Sequence, residues 1–313
     1  MFCKMSDAPP QGWLAFEMNV LRRLKFASAI LPFAGEPHLA VYLKRLHARV
    51  AANNLTQSGF IKAVALVENN NEKLTDADVE IILEDAYVPA RGGLQNQSLL
   101  EWFDETEARW FDNVRRNIEK LPSHVLQAVA LSIGIGVGDY VLSFNRDTRE
   151  LRQPLSDVFR RLWSIFPAPI DNNQINVCQN KSARDFVAEN FTSDLMFLRL
   201  PRAQNASGRN RLGWTAWREE WAHGDDRFWT DFERASTGKL GAAVETKSQY
   251  LHLLEEFLQT AAHIPLWAIT HVEDGFLSTQ EIAETVARLR RVDTIYTKDF
   301  SELSRSKAAI IIA

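Results

Sequence analysis

The residues best suited to chemistry lie in a basic stretch that also carries tryptophans. Residues 198–218 contain five arginines and no acidic residue, and three tryptophans lie within or beside them. Arginines suit contact with phosphates and aromatic rings suit stacking on bases, so the stretch is a candidate nucleic-acid surface. An equally supported interpretation is a solvated loop followed by an amphipathic helix whose tryptophans belong to the core. The candidate DNA-contacting residues are Arg209, Arg211, Trp214, Trp217 and Arg218.

Other reactive residue types give weaker signals. Cys3 and Cys178 are too few for a disulfide framework or a structural zinc site. The seven histidines show no metal-ligand spacing, and no nucleophile elbow is present. Gly134, Gly136 and Gly138 imitate a phosphate-binding loop, but no lysine follows them, which favours close helix packing instead. We expect no metal site and no hydrolytic nucleophile.

The composition is that of an ordinary globular protein. Of the 313 residues, 46% are hydrophobic and 24% are charged, which excludes collagen-like, disordered and coiled-coil classes. The formal net charge of −4 excludes a uniformly basic nucleic-acid binder but allows a local basic patch. The most apolar run, residues 125–138, is too short to cross a bilayer, and the first residues lack the apolar segment of a secretory signal. We expect a soluble, cytoplasmic protein that does not enter a membrane.

Short apolar runs alternate with helical patterns towards both ends of the chain. This alternation is typical of a parallel α/β sheet with helices between its strands. From about residue 72 to residue 172 the pattern is helical only, which predicts a helical insertion. The predicted strands lie at 29–33, 49–52, 174–178, 194–200, 266–270, 291–296 and 308–312.

Four loop sequences and the tail, taken in order, resemble the Dam-like, alpha-class DNA adenine-N6 methyltransferases. LPFAG at 31–35 is similar to the family's PFAGxG loop, AANNL at 51–55 to its ND loop, and NKSARDF at 180–186 to its N-x-D-A-x-D-F segment. Residues 194–202 stand in the place of LVYLDPPY, and residues 266–275 and 296–312 are similar to the final strands. The resemblance runs from about residue 20 to the end of the chain.

The resemblance implies a Rossmann-like methyltransferase sheet that binds S-adenosylmethionine at its strand ends. It also implies that the insertion reads double-stranded DNA and that the target adenine is flipped out of the duplex. The methyltransferase domain would comprise residues 20–71 and 173–313, and the target-recognition domain residues 72–172. The implied cofactor-binding residues are Phe33, Ala34, Gly35, Asn53, Asn54, Ser182 and Asp185. The implied catalytic position, where the family has D-P-P-Y, comprises Arg199, Leu200, Pro201 and Arg202.

The three cofactor loops depart from the family's pattern. Pro37 stands where a second glycine is expected and has no N–H to donate, although proline also suits the first turn of a helix. Asn53 and Asn54 are neutral where an acidic residue ordinarily binds the ribose. Ser182 stands where the family has an aspartate, and Asp185 is either a substitute acid or the partner of Ser182 in a helix cap.

The catalytic position departs most. Methyl transfer to an exocyclic amine needs acceptor oxygens that hold the N–H groups, whereas the arginine at 199 offers donors only and stays charged. A guanidinium there would also repel the positive sulfonium of the cofactor. Arg202 replaces the aromatic residue that stacks on the flipped base. Three of the four sites have lost a carboxylate, which predicts a methyltransferase fold that no longer methylates.

The leading hypothesis is a catalytically impaired or inactive relative that acts in DNA binding, or as the partner of an active methyltransferase or restriction-system subunit. One alternative is an active S-adenosylmethionine-dependent adenine-N6 methyltransferase with a diverged DPPY motif. Another is a protein-interaction module on the same fold that takes neither ligand. If the family assignment holds, residues 31–37, 53–54, 182–185 and 199–202 should converge at one edge of the sheet.

Overall fold

The computed structural model describes residues 12–89, 93–145, 147–203, 206, 208–273, 275–304 and 306–313. Within these residues, seven strands form one sheet. The strands are β1 (Ser28–Leu31), β2 (Arg49–Asn53), β3 (Val177–Gln179), β4 (Leu195–Arg199), β5 (Leu266–Glu273), β6 (Thr294–Asp299) and β7 (Lys307–Ile312).

The strands lie in the order β3-β2-β1-β4-β5-β7-β6. Strands β1 to β5 pair in parallel, whereas β7 runs antiparallel to both β5 and β6. Helices cover both faces of the parallel part, which explains why every residue of β1 is buried rather than every second one. This arrangement is consistent with a Rossmann-like methyltransferase fold, and the predicted α/β fold class is confirmed.

Helices occupy most of the remaining described chain. Several begin at a side-chain cap, because Thr75, Asp104 and Ser278 each accept a hydrogen bond from the backbone N–H three residues later. The helices are α1 (Trp13–Leu21), α2 (His38–Arg45), α3 (Gln57–Ala63), α4 (Asp76–Leu83), α5 (Glu105–Ile118), α6 (His124–Ser143), α7 (Leu155–Ser164), α8 (Ala183–Glu189), α9 (Gly208–Leu212), α10 (Ala216–His223), α11 (Trp229–Ser236), α12 (Lys247–Thr260), α13 (Thr279–Ala287) and α14 (Ser301–Ser304).

Alternate side chains of the central strands enter two apolar cores, one on each face of the sheet. Ala29 and Leu31 of β1 lie in the core that contains α4 to α7 and α10. Ile30 lies in the other core, with α8, α12 and α13. The helices of the predicted insertion therefore share a continuous core with one face of the sheet. The boundary of a separate target-recognition domain stays a prediction.

Two glycines of α6 admit tryptophan rings of α10. A Cβ on Gly134 would overlap the ring of Trp221, and a Cβ on Gly138 would overlap the ring of Trp217. Both tryptophans are fully buried. The prediction that these glycines serve close helix packing is confirmed.

Helix α6 is longer than the apolar run at 125–138 predicts. Its 20 residues are long and apolar enough to cross a membrane by length and composition, but 61% of its most apolar window is buried inside the protein. Its buried side chains include Val129, Ile133 and Val137. Inside this fold α6 is a core helix.

A buried lysine closes the turn that follows α3. Lys44 of α2 is 0% exposed, and its Nζ donates to the carbonyls of Val67 (2.7 Å) and Asn69 (2.6 Å). These carbonyls lie in and just after a π-helical turn, Val64–Glu68, that prolongs α3. Burial lowers the pKa of Lys44 from 10.5 to about 8.

The buried Lys44 predicts a stability that rises in alkaline solution. Between pH 8 and 10.5 the unfolded chain still holds the proton that the folded chain has released, so the free energy of unfolding increases with pH. Relative to Lys44→Met, the wild-type protein should gain about 3 kcal/mol across that range. Urea denaturation of both proteins at stepped pH measures the difference. Parallel pH profiles for the two proteins would contradict the prediction.

Candidate functional site

The four predicted loops meet at the carboxyl ends of β1 to β4. The Nδ2 of Asn53 donates to the carbonyls of Pro32 (3.1 Å) and Lys181 (3.0 Å), which joins the loop after β1 to the loop after β3. Arg199, at the end of β4, donates from Nη1 to the carbonyl of Ala34 (3.3 Å). The predicted convergence at one sheet edge is confirmed.

The loop after β1 is bonded to the loop after β2. The backbone N–H of Gly35 donates to Oδ1 of Asn54 (2.8 Å), and that of Ala34 donates to the carbonyl of Asn53 (3.0 Å). Gly35 has a φ of +59°, a left-handed conformation that favours glycine. Pro37 lies directly before the first residue of α2 as its N-cap. The loop is therefore a tight turn that starts a helix, and two of its N–H groups already have acceptors.

Asn54 has one unsatisfied group. Its Nδ2 is buried and has no hydrogen-bond partner among the described residues. Asn54 packs against Gly59, where an added Cβ would lie 3.0 Å from Cγ of Asn54. A buried donor without a partner lowers the stability of the folded protein, so Nδ2 of Asn54 is an unsatisfied group in the loop after β2.

Ser182 and Asp185 bond to each other. Ser182 is the N-cap of α8, and its Oγ accepts from the N–H of Asp185 (3.3 Å) and donates to Oδ2 of the same residue (2.5 Å). Of the two interpretations made from the sequence, the geometry matches the helix cap. The Asp185 carboxylate is thus partly occupied by its own helix.

Arg199 is held by a buried carboxylate that the sequence analysis missed. Its Nε donates to Oε1 of Glu17 (2.8 Å) and its Nη2 donates to Oε2 (2.6 Å), a two-bond ion pair. Glu17, on α1, is 0% exposed and also accepts from Nε1 of Trp13 (2.6 Å). The guanidinium charge is neutralised inside the protein instead of facing a ligand alone. A glutamate within the apolar helix α1 was the available signal, but its partner is distant in the chain.

Leu200 and Pro201 of the DPPY position are hydrogen-bonded to other residues of the protein. The hydroxyl of Tyr250 donates to the carbonyl of Pro201 (2.6 Å), and the N–H of Leu200 donates to the carbonyl of Thr270 (3.1 Å). Arg202 is exposed, at the place where the family has an aromatic residue. The carbonyl of Pro201 thus holds one hydrogen bond from within the protein.

Residues 238–244, the closing segment, lie between the loop after β1 and the DPPY position. Gly241 has a φ of +93°, and a Cβ there would lie 3.4 Å from Phe33 and 3.5 Å from Pro201. Nη1 of Arg211 donates to the carbonyl of Gly241. A cavity of about 20 Å³ beside the segment, lined in part by Lys239, has room for about one water molecule. The closing segment therefore approaches both loops at Gly241.

The predicted DNA-contacting residues are engaged within the protein. Trp217 is 0% exposed, so the prediction that it stacks on DNA is wrong: its ring belongs to the core. Arg209 pairs with Glu101 and with the buried Glu220 (2.7 Å). Two further predicted residues contact each other, because the guanidinium of Arg218 lies over the ring of Trp214. The alternative interpretation, an amphipathic helix with a tryptophan core, describes this stretch.

Two carboxylates join the arginine-rich stretch and α10 to helices α6 and α3. Asp139 of α6 accepts two bonds from Arg218 (2.9 and 2.8 Å), although burial raises the pKa of Asp139. Glu219 of α10 accepts from the N–H groups of Gln57 (2.6 Å) and Ser58 (3.0 Å) at the start of α3. Burial also raises the pKa of Glu219. Both carboxylates fasten helices together rather than facing a ligand.

Comparisons with known proteins give a partial relative. No protein-family model matches the chain. Over 102 residues the chain is 30% identical to the Type II methyltransferase M2.HphI of Haemophilus parahaemolyticus, a match that covers 32% of this chain and 30% of that protein. The chain thus matches less than a third of that curated relative's length. The similarity supports a methyltransferase relationship and suggests the use of S-adenosylmethionine. Across the described residues, no group of three or more histidine, cysteine, aspartate or glutamate side chains is placed to hold a metal ion.

Proposed function

We propose that this protein is a relative of the Dam-like DNA adenine-N6 methyltransferases that does not transfer methyl groups and acts as the companion of an active DNA methyltransferase. The sheet order, the positions of the four loops and the partial match to a type II methyltransferase support the relationship. The helical block between α3 and β3 supports the relationship, because the resemblance implies an insertion between those elements.

The observation that carries the proposal is the ion pair between Arg199 and Glu17. Transfer of a methyl group to an exocyclic amine requires oxygens that accept the amine's N–H groups and so raise the availability of its lone pair. Arginine has no acceptor, and its charge cannot be removed at accessible pH. Because Glu17 binds Arg199 through two short bonds, the guanidinium is fixed at this position.

The loss of acceptors has a large expected effect on rate. One preorganised electrostatic group at a reacting centre contributes about 10²–10³ in rate. Here the aspartate is replaced by Arg199, and the carbonyl of Pro201 is bonded to Tyr250. Replacement of the aspartate by Arg199 alone therefore predicts a rate lower by about 10²–10³.

The ion pairs of two arginines and the open edge of the sheet support a companion role. Arg209 and Arg218 are committed to internal ion pairs, which disfavours direct phosphate contact through them. The edge strand β3 pairs only with β2 within the sheet. Ile175, just before β3, and Val177, its first residue, are 82% and 38% exposed. We propose that contact with duplex DNA comes through the active partner.

Expression in a host that lacks N6-methyladenine tests the proposal. Mass spectrometry of the host's nucleosides should find no N6-methyladenine when the chain is expressed alone. Co-expression with an active DNA methyltransferase of the organism that produces this chain should change the amount or the sites of that enzyme's methylation. N6-methyladenine produced by the chain alone would refute the inactive assignment, and an unchanged methylation pattern would refute the companion role.

A further inference from the structure

We infer that the three cofactor loops and the DPPY position bind one another in place of S-adenosylmethionine, so that the fold persists while the cofactor site is lost. The inference deepens the proposed function, on which it rests for the identity of the loops. The carboxylate of S-adenosylmethionine needs hydrogen-bond donors. Its amine and ribose hydroxyls need acceptors, and its sulfonium favours negative charge. Each requirement can be compared with the polar atoms that the loops still offer.

Two backbone donors of the loop after β1, those of Ala34 and Gly35, are already used. A carboxylate at such a loop is ordinarily held by backbone N–H groups. Here the N–H of Gly35 is taken by Oδ1 of Asn54 and the N–H of Ala34 by the carbonyl of Asn53. Pro37 has no N–H at all. A carboxylate would have to displace bonds that hold the loop after β1 to the loop after β2.

The acceptors are used as well. Oδ1 of Asn53 accepts from the N–H of Lys181 (3.2 Å), and Asn53 is only 1% exposed. The carbonyl of Ala34 accepts from Arg199. The Asp185 carboxylate accepts from the hydroxyl of Ser182. Each of these acceptors thus already holds a bond within the protein, and of the three residues only Asp185 is exposed to solvent.

The charges of the site do not favour a cationic ligand. Asn53, Asn54 and Ser182 are neutral, and the negative charge of Glu17 is matched by Arg199. Glu36, in the loop after β1, pairs with Lys62 at 2.6 Å. The charges of Glu17 and Glu36 are thus balanced by cations of the protein itself, whereas Asp185, which is exposed, bonds to the neutral hydroxyl of Ser182.

The unpartnered Nδ2 of Asn54 is a buried feature that points the other way. It is a neutral donor, and one neutral hydrogen bond changes an affinity by about tenfold or less. A micromolar Kd lies about a millionfold below the 1 M standard state, and the contacts to the ligand must supply that factor. This single atom cannot supply it.

Calorimetric titration of the full-length chain with S-adenosylmethionine, and separately with S-adenosylhomocysteine, tests the inference. Up to about 1 mM ligand, we expect no saturable heat and no change in melting temperature, with folding verified by circular dichroism. Saturable binding of either compound in the micromolar range would overturn the inference. Binding without methyl transfer would overturn the inference alone, whereas methyl transfer would overturn the proposed function too.

A substitution supplies a readout that does not depend on any ligand. Because Asn53 holds two loops together in the unliganded protein, Asn53→Ala should lower the melting temperature by about 5 °C. Asn71→Ala, at an exposed position, is the matched control and should leave the melting temperature within about 1 °C. If Asn53→Ala is as stable as Asn71→Ala, the bonds between loops do not replace a ligand and the inference fails.

Discussion

Arg199→Met should lower the free energy of unfolding by about 3–5 kcal/mol, because it leaves Glu17 charged, buried and without its cation. Urea denaturation at neutral pH measures the loss. Arg291→Met is the matched control: the Arg291 side chain is 90% exposed and its contact with Asp293 is 3.7 Å long. Loss of a surface pair of that kind changes stability by about 0.5 kcal/mol or less.

A second substitution separates a buried charge from a general loss of packing. Glu17→Gln combined with Arg199→Met removes both charges and keeps an acceptor for the indole N–H of Trp13. The double variant should recover most of the stability that Arg199→Met loses, since a buried pair can often be replaced by neutral groups at little net cost. If Arg199→Met is harmless, or if the double variant is no better, Glu17 and Arg199 are not paired in solution.

Trp217→Ala should cost about 3–5 kcal/mol of unfolding free energy, because it removes a large, fully buried ring. The ring contacts Phe103, Phe111 and Trp221, with centroid distances of 5.4, 5.7 and 6.2 Å. Thermal and urea denaturation measure the loss. A stable Trp217→Ala variant that loses affinity for duplex DNA would restore the stacking role predicted from the sequence.

A substitution in α6 tests the contact between Gly138 and the Trp217 ring. Gly138→Ala should destabilise the protein by about 1–3 kcal/mol, because the added methyl overlaps the Trp217 ring and the core must shift. Gly136→Ala is the matched control on the same helix. Its Cβ would lie 3.1 Å from Cδ1 of Leu162, a side-chain end that can move, so the change should stay within about 1 kcal/mol.

The sheet was predictable where strands are buried on both faces. Uninterrupted apolar runs mark β1, β4 and β5, and each of these strands lies at or close to its predicted position. The exposed edge strands were placed less well. The closing strand predicted at 291–296 is β6, Thr294–Asp299, whose residues are mostly exposed and so give no apolar run.

The ion pair at the site was beyond sequence reasoning. Arg199 and Glu17 are 182 residues apart, and no local periodicity connects two charges at that separation. The tryptophan core, in contrast, left a signal. Gly134 and Gly138 are four residues apart, as are Trp217 and Trp221, so one turn of one helix matches one turn of the other. That shared spacing favours packing of the tryptophans against the glycines over a DNA-contacting surface. The composition of the arginine- and tryptophan-rich stretch fits either interpretation.

The most direct measurement is tritium transfer from S-adenosylmethionine to unmethylated, adenine-containing duplex DNA by the purified chain. The protein is prepared from a host without adenine methyltransferases, and an active adenine methyltransferase added to a parallel sample shows that transfer would be detected. With Arg199 fixed on Glu17, incorporation into adenine should stay at background at every protein concentration. Incorporation at adenine N6 that rises in proportion to the amount of this chain would contradict the inactive assignment.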